Sequence, residues 1–401
     1  YYDLFGFKIT KSSLIDINDD SDNKKESFNA ENVFKNVPFT EDSKHKLRWV
    51  AYLEFTLNFD TGSSFSWDQI VSLNKCEKLK LMIRGQGIPH SLRSLVWIRL
   101  NGTLHKKLES KFKYADIVKS AETNLGQTKK QIEKDLLRTL PTNACFCSLD
   151  SVGIPRLRRV LQSIAWYNSS IGYCQGMGTI VASLLLFLEE EDTFWLMTSI
   201  LEDILPPSYF SETLSGVQTD IKVLKNLIST YLPEIDHQLE EHNIELSLIC
   251  INWFLTIFSN VFHIRILLRV WDMFFYEGSS VIFQVTLSML KINEKKLKDC
   301  ENSSQIYSLL TEIPNGITSV DELIETSIKV ASSVNMGLIE SLRRKHQSYE
   351  MARNETIKNQ ISYNHLILSK KDPNLEHAQS LDDNRGSKKF FKLFQNSNDI
   401  G

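Results

Sequence analysis

The stretch Ile132-Glu133-Lys134-Asp135-Leu136-Leu137-Arg138-Thr139 reads as the closing turns of an amphipathic helix. At about 100° per residue, Ile132, Leu136 and Leu140 share one face, and Arg138 falls roughly opposite its centre. Thr128 and Gln131 fit a capping box at the start of this helix, and Pro141 is expected to end it. An outward arginine in a last helical turn is therefore expected. Two ordinary explanations exist for it. A cation near a helix C-terminus gains roughly 0.3–1 kcal/mol, and Asp135 and Arg138, three apart, could form a surface ion pair.

Outward from this stretch the helical period recurs. Leu157, Val160, Leu161, Ile164 and Ala165 step at i, i+3, i+4, i+7 and i+8. Asp192 or Thr193 is expected to cap a helix from Phe194 to Leu201, which Pro206-Pro207 terminates. Ile221 to Leu232 repeats the pattern and stops before Pro233. Ile264 to Phe275 is another helix, with Leu267, Leu268, Trp271, Phe274 and Phe275 on or near one face. Thr179 to Leu188 and Leu246 to Phe262 are apolar but too short or too polar to cross a bilayer, which takes about 20 apolar residues. Both are expected as core helices, apolar all round. Alternating strand patterns are scarce, so the expected fold is all-α.

A second short motif, Tyr173-Cys174-Gln175-Gly176, carries a glutamine 37 residues beyond Arg138. Gly172 and Gly176 bracket it and permit a tight backbone just before an apolar helix. An exposed polar residue near a helix start is common, so the motif is weak alone. Cys174 has no histidine partner at a recognisable spacing, which argues against a thiol nucleophile. The pair Cys145 and Cys147 lacks the further ligands that a metal site requires.

Composition sets the frame. A chain of 401 residues with 42% hydrophobic residues can bury a sizeable core. A net charge of −3 gives no general attraction to nucleic acid or anionic lipid. Six cysteines provide no disulfide framework, as expected for an intracellular protein, and no signal peptide is visible at Tyr1.

Taken together, Ile132-x-x-Asp135-x-x-Arg138-Thr139 and Tyr173-x-Gln175-Gly176 resemble the two signature motifs of TBC-domain GTPase-activating proteins for Rab GTPases. The likeness extends to Arg84-x-x-Gly87-Ile88-Pro89 with Arg93 and Trp97, although the family pattern has one residue fewer and Gly85 is an alternative first glycine. Ser247-Leu248-Ile249 with Trp253-Phe254-Leu255 and Phe258, and Arg269 to Gly278, resemble later blocks. Gln131 to Phe146, Gly153 to Ala165, Phe187 to Asp203 and His45 to Trp49 are similar to the small G protein signaling modulator branch.

The resemblance implies a multi-helix domain whose partner is a Rab-family GTPase in its GTP form. Arg138 and Gln175 would be the catalytic pair inserted in trans. Asp135 would orient the finger region and Tyr173 the loop carrying Gln175, with Gly176, Arg93 and Trp97 supporting. No cofactor of its own is expected, because GTP and Mg²⁺ belong to the partner. An arginine finger is worth roughly 10³–10⁵ in rate, or about 4–7 kcal/mol. The competing expectation is a catalytically idle module that only binds Rab proteins or scaffolds others. Residence in the cytoplasm with peripheral recruitment to endosomal or vesicle membranes follows from the likeness, and so do SH3 and RUN domains that this chain lacks room for. That favours a fragment or a shortened relative.

The expected layout is a mobile segment at 1–40, in which Tyr2 to Phe7 is either a docking motif or nothing. A helical extension at 41–83 follows, with Trp49, Tyr52, Leu53 and Phe55 clustered and Trp67 to Leu73 beyond a turn. The TBC domain then spans 84–300, further helices 301–350, and a polar tail 351–401. Arg343 to His346 reads as a solvated helix face, and Lys388 to Lys392 is too short a cluster for a firm membrane assignment.

Overall fold

Helices dominate the described backbone. The structure is a computed structural model that describes residues 2–3, 5–8, 42–57, 67 and 70–352. Its α-helices run in chain order as α1 (Ser43–Leu57), α2 (Glu77–Gly85), α3 (His90–Leu100), α4 (Thr103–Glu109), α5 (Tyr114–Asn124) and α6 (Gly126–Leu136). Next come α7 (Gly153–Tyr167), α8 (Met177–Leu185), α9 (Glu190–Ser199), a π-helical turn (Ile200–Ile204), α10 (Ser215–Tyr231), α11 (Pro233–Glu241) and α12 (Ser247–Leu255). The chain continues through α13 (Ile264–Glu277), α14 (Ser280–Ile292), α15 (Glu294–Lys298), α16 (Ser303–Glu312) and α17 (Val320–Ala331). Among the described residues there is no strand, only two isolated antiparallel bridges, Tyr2 with Lys8 and Phe7 with Asn143. The described residues through Ile339 form one unit, and those from Glu340 form a second, helical as far as 352.

Helix α7 organises the half that carries the two motifs. All five residues of its sequence-read face are buried, worth roughly 1.5–3 kcal/mol for each large side chain. It packs against α5, α6, α8 and α9. Its first residue, Gly153, leaves no room for a side chain, since a Cβ there would stand 2.4 Å from Phe146 and 2.6 Å from the Cys145 carbonyl. Helix α8 is buried on every side, as its all-round apolarity requires.

The other half turns on α13, which packs against α2, α3, α14 and α17. Asp272, fully buried, accepts from four donors on elements remote in sequence. These are the Ile88 backbone N–H (2.9 Å), Arg93 Nε (3.0 Å) and Nη2 (2.9 Å), and Trp97 Nε1 (2.8 Å). Gly87 approaches the same carboxylate with φ +76°, and a Cβ there would stand 2.8 Å from Asp272 Oδ2. Gly85 has open space around it. Gly87 is thus the constrained glycine of the Arg84 to Pro89 stretch. Arg84 closes the same corner through two hydrogen bonds to Glu277, at 2.7 and 2.6 Å.

Several local expectations need correction. Helix α6 starts at Gly126 with no side-chain cap, so Thr128 and Gln131 lie inside it and form no capping box. It ends at Leu136, before Pro141 can act, and Leu140 leaves it with φ +48°. Helix α9 begins at Glu190, upstream of the expected Asp192 or Thr193 cap, and runs into the π-helical turn. The apolar run from Leu246 to Phe262 is not one helix: α12 stops at Leu255, Ile257 and Phe258 take positive φ, and Leu248 is exposed. The Trp271 indole explains the break by donating to the Ile257 carbonyl (2.9 Å). In the extension, Trp49, Tyr52 and Leu53 are buried, but Phe55 is exposed and residues 70–76 are not helical. There Arg99 donates instead to the Ile70 carbonyl (2.7 Å) and stacks over Trp67. The Lys388 to Lys392 cluster lies outside the described residues.

Candidate functional site

The backbone of α6 unwinds at the residue before the arginine of its motif. The Arg138 N–H bonds to the Asp135 carbonyl (3.2 Å), a tighter i→i−3 closure, and Thr139 Oγ1 donates to the same carbonyl (2.7 Å). Such turns satisfy carbonyls that a helix end leaves unpaired. Arg138 therefore sits just beyond the helix rather than in its last turn. Its side chain is 53% exposed, and its guanidinium donates to Asp135 Oδ1.

Asp135 is the joint of the site. Its carboxylate is buried, and its second oxygen accepts from the Tyr173 hydroxyl at 2.8 Å. Burial and the Asp135 charge push the Tyr173 hydroxyl up from its ordinary range, so it remains a donor. The ion pair weighed from sequence is real, but one of its partners is buried and shared with the second motif.

That second motif is a tight loop. Gly172 (φ +65°) and Gly176 (φ +104°) both take left-handed backbone that favours glycine. Gly176 is the N-terminal flank of α8, and Thr179 Oγ1 donates to its carbonyl (2.9 Å). Gln175, one residue earlier, is exposed. Gly178, in the first turn of α8, lets the helix press on Thr139: a Cβ there would stand 2.9 Å from Thr139 Oγ1. Thr139 and Gly178 therefore set the spacing of the two loops, a contact that no spacing rule announces.

The remaining candidates divide. Gly176 belongs to the Gln175 loop. Arg93 and Trp97 are buried at the Asp272 hub and contact neither motif through any described hydrogen bond. The Cys174 thiol is pushed up to about 12 by burial and by Asp135, which leaves it a protonated, poor nucleophile. Among the described residues no cluster of histidine, cysteine or carboxylates could hold a metal ion, and no helix is long and apolar enough to cross a membrane.

Comparison with known proteins places the chain by family and fold. The Rab-GTPase-TBC domain model matches residues 90–298, which covers both motifs. Small G protein signaling modulator 3 of Homo sapiens is 50% identical over 353 residues, 88% of this chain and 45% of that protein. The likeness to that branch read from residues 131–203 is thereby borne out, and the chain spans about half the length of the curated relatives it matches. The crystal structure of the Chlamydomonas flagellar RabGAP TBC domain superposes with a TM-score of 0.63 at 29% identity, covering 82% of this chain and 99% of that one. The Ypt/Rab-GAP domain of Gyp1p shares the fold at a TM-score of 0.57 and 19% identity, over 71% and 98% of the two chains. With a family model matched over more than half its length and both motifs folded around one carboxylate, this chain belongs to the Rab-GTPase-TBC domain family.

Proposed function

We propose that this chain is a GTPase-activating protein for Rab-family GTPases, supplying Arg138 and Gln175 in trans to a partner that binds GTP and Mg²⁺. The observation that carries the reading is the Asp135 carboxylate, which holds the Arg138 guanidinium on one oxygen and the Tyr173 hydroxyl on the other. One buried anion thus couples the loop of the arginine to the loop of the glutamine, and leaves both of those side chains exposed.

Chemically, the partner's GTP is attacked at the γ-phosphorus by water. An oxygen–phosphorus bond forms as the bond to the β–γ bridging oxygen breaks, and GDP and phosphate leave. Negative charge on the transferring oxygens calls for a permanent, forked cation, which Arg138 provides. The water calls for a carboxamide that both accepts and donates, which Gln175 provides. To reach the phosphates, Arg138 exchanges Asp135 for them. Asp135 keeps Tyr173 during that exchange, so the glutamine loop stays fixed while the arginine moves. Recruitment to endosomal or vesicle membranes, through the GTPase or regions beyond the TBC domain, belongs to the same reading.

Single-turnover GTP hydrolysis over a panel of purified Rab proteins tests it. Arg138→Ala is expected to lower the stimulated rate by roughly 10³-fold or more for the Rab that responds, with the melting temperature unchanged. Gln175→Ala should also lose activity. A parent chain that binds GTP-loaded Rab yet stimulates none, and binds no tighter when a planar phosphoryl mimic accompanies GDP, is a binding module instead.

A further inference from the structure

The described residues near the start of the chain, Tyr2, Asp3 and Phe5 to Lys8, fold back on themselves and lie against the loop downstream of Arg138. Tyr2 and Lys8 bridge, Asp3 N–H donates to the Phe7 carbonyl (2.8 Å), and Gly6 turns the chain with φ +84°. Asp3 Oδ1 accepts from the Phe5 (2.9 Å) and Phe7 (2.8 Å) N–H groups, which locks the turn. The outer arm then pairs with residues 142–144. Lys8 N–H donates to the Thr142 carbonyl (3.0 Å), Ala144 N–H donates to the Gly6 carbonyl (2.8 Å), and Phe7 bridges Asn143.

Two side chains anchor the pairing. Asn143, fully buried, donates from Nδ2 to the Phe5 carbonyl (2.8 Å). Phe5 is buried, with its ring centroid 5.2 Å from His90 and 5.7 Å from Phe187. His90 opens α3, and Phe187 lies just past the end of α8, whose other end carries Gln175. The segment therefore touches the chain downstream of each finger.

The loop it holds is seated at Thr139 on Gly178 and at Cys145 and Phe146 against Gly153, and between them it is held by the turn from Leu140 to Asn143 (3.0 Å) and by this segment. Arg138 stands outside α6, and the chain reaches Asn143 through Leu140 at φ +48°, a backbone that non-glycine residues rarely adopt. A strained residue persists where its surroundings over-determine it. Here the surroundings are Asp135, upstream of the arginine, Thr139 against Gly178, just after it, and Asn143, further downstream.

We propose that Tyr2, Asp3 and Phe5–Lys8 form an intramolecular clip that sets the position of the Arg138 loop, with Phe5 and Asn143 as its anchoring, positioning residues. The consequence for GTP hydrolysis rests on the Rab-directed function of Arg138; the clip itself does not.

The test uses the full chain with Phe5→Asp, Phe5→Leu as the conservative partner, and Lys8→Pro, which removes one pairing donor at an exposed site. Hydrogen exchange is read over residues 139–146 and, as an internal control, over α7. Phe5→Asp and Lys8→Pro should speed exchange in 139–146 by tenfold or more, leave α7 protected, and Phe5→Leu should restore protection. With a responsive Rab, kcat should fall roughly 10–100-fold, the scale of a small misplacement of a reacting group, while KM for the GTPase stays within about twofold. Unchanged exchange in 139–146 overturns the clip. Faster exchange with unchanged kcat overturns its control of the finger. If Phe5→Asp unfolds α7 as well, Lys8→Pro decides alone. If the parent chain stimulates no Rab, the GTPase reading fails, and exchange still decides whether the segment holds the loop.

Discussion

Replacing Asp272 with leucine should be among the most damaging single changes in this domain, and more damaging than removing the arginine it pairs with. The carboxylate is fully buried and accepts four hydrogen bonds, two from Arg93 and one each from Ile88 N–H and Trp97 Nε1. Asp272→Leu strands a buried guanidinium, at about 3–5 kcal/mol. It also orphans two neutral donors, at about 1–3 kcal/mol each before relaxation. Because these terms share one site they do not add fully, and about 5 kcal/mol or more is expected. Arg93→Met leaves the carboxylate with its two neutral donors, so about 3 kcal/mol is expected. At roughly 2–4 °C per kcal/mol for a domain of this class, Asp272→Leu should melt about 10–20 °C below the parent. Arg93→Met should fall about half as far. Thermal unfolding of the two variants side by side is the assay. Melting temperatures within about 2 °C of each other, or a worse Arg93 variant, would refute the argument that the carboxylate gathers these elements.

Three further outcomes are expected from the geometry. Gly87→Ala should lower the melting temperature by several degrees, because φ is +76° and its Cβ would stand 2.7 Å from Arg269, whereas Gly85→Ala should be neutral or slightly stabilising. His90 is held near pKa about 3 by burial and then by Arg93, below its ordinary 6.5. The folded state therefore resists a proton that the unfolded chain accepts. Its contribution is full above about pH 6.5 and declines as pH falls from there toward 3, so urea midpoints for His90→Leu should show a shallower acid slope than the parent. Limiting N-ethylmaleimide at neutral pH should label Cys76 well before Cys174. Cys76 is exposed, and hydrogen bonds from Tyr52 and the Leu79 N–H lower its pKa, while Cys174 sits near 12. Peptide mass mapping reads the order.

Much of the helical architecture was legible because helix period is a local signal. Leu157 to Ala165 and Ile264 to Phe275 needed only their own spacing, and both are buried on the face that spacing implies. Helix ends were less legible. The Thr128–Gln131 pattern matched a cap by residue type, yet α6 begins upstream at Gly126. Pro141 matched a stop, yet the helix ends at Leu136, where Thr139 takes up the Asp135 carbonyl and Tyr173 takes the Asp135 carboxylate. The long apolar run after Leu246 hid a break at Ile257 and Phe258, because composition does not show an indole from α13 claiming a carbonyl.

What the chain determined by itself is the all-α class, most of its helices, and the two short motifs with their arginine and glutamine, since each rests on neighbours within a turn or two. What only the tertiary structure decided is which buried anions tie distant pieces together. Asp135 takes a hydroxyl from 38 residues away, and Asp272 takes donors from 175 to 184 residues away. The Phe5 carbonyl meets Asn143 across 138 residues. A buried polar group must find its partner wherever packing brings one, and sequence spacing carries no record of that choice.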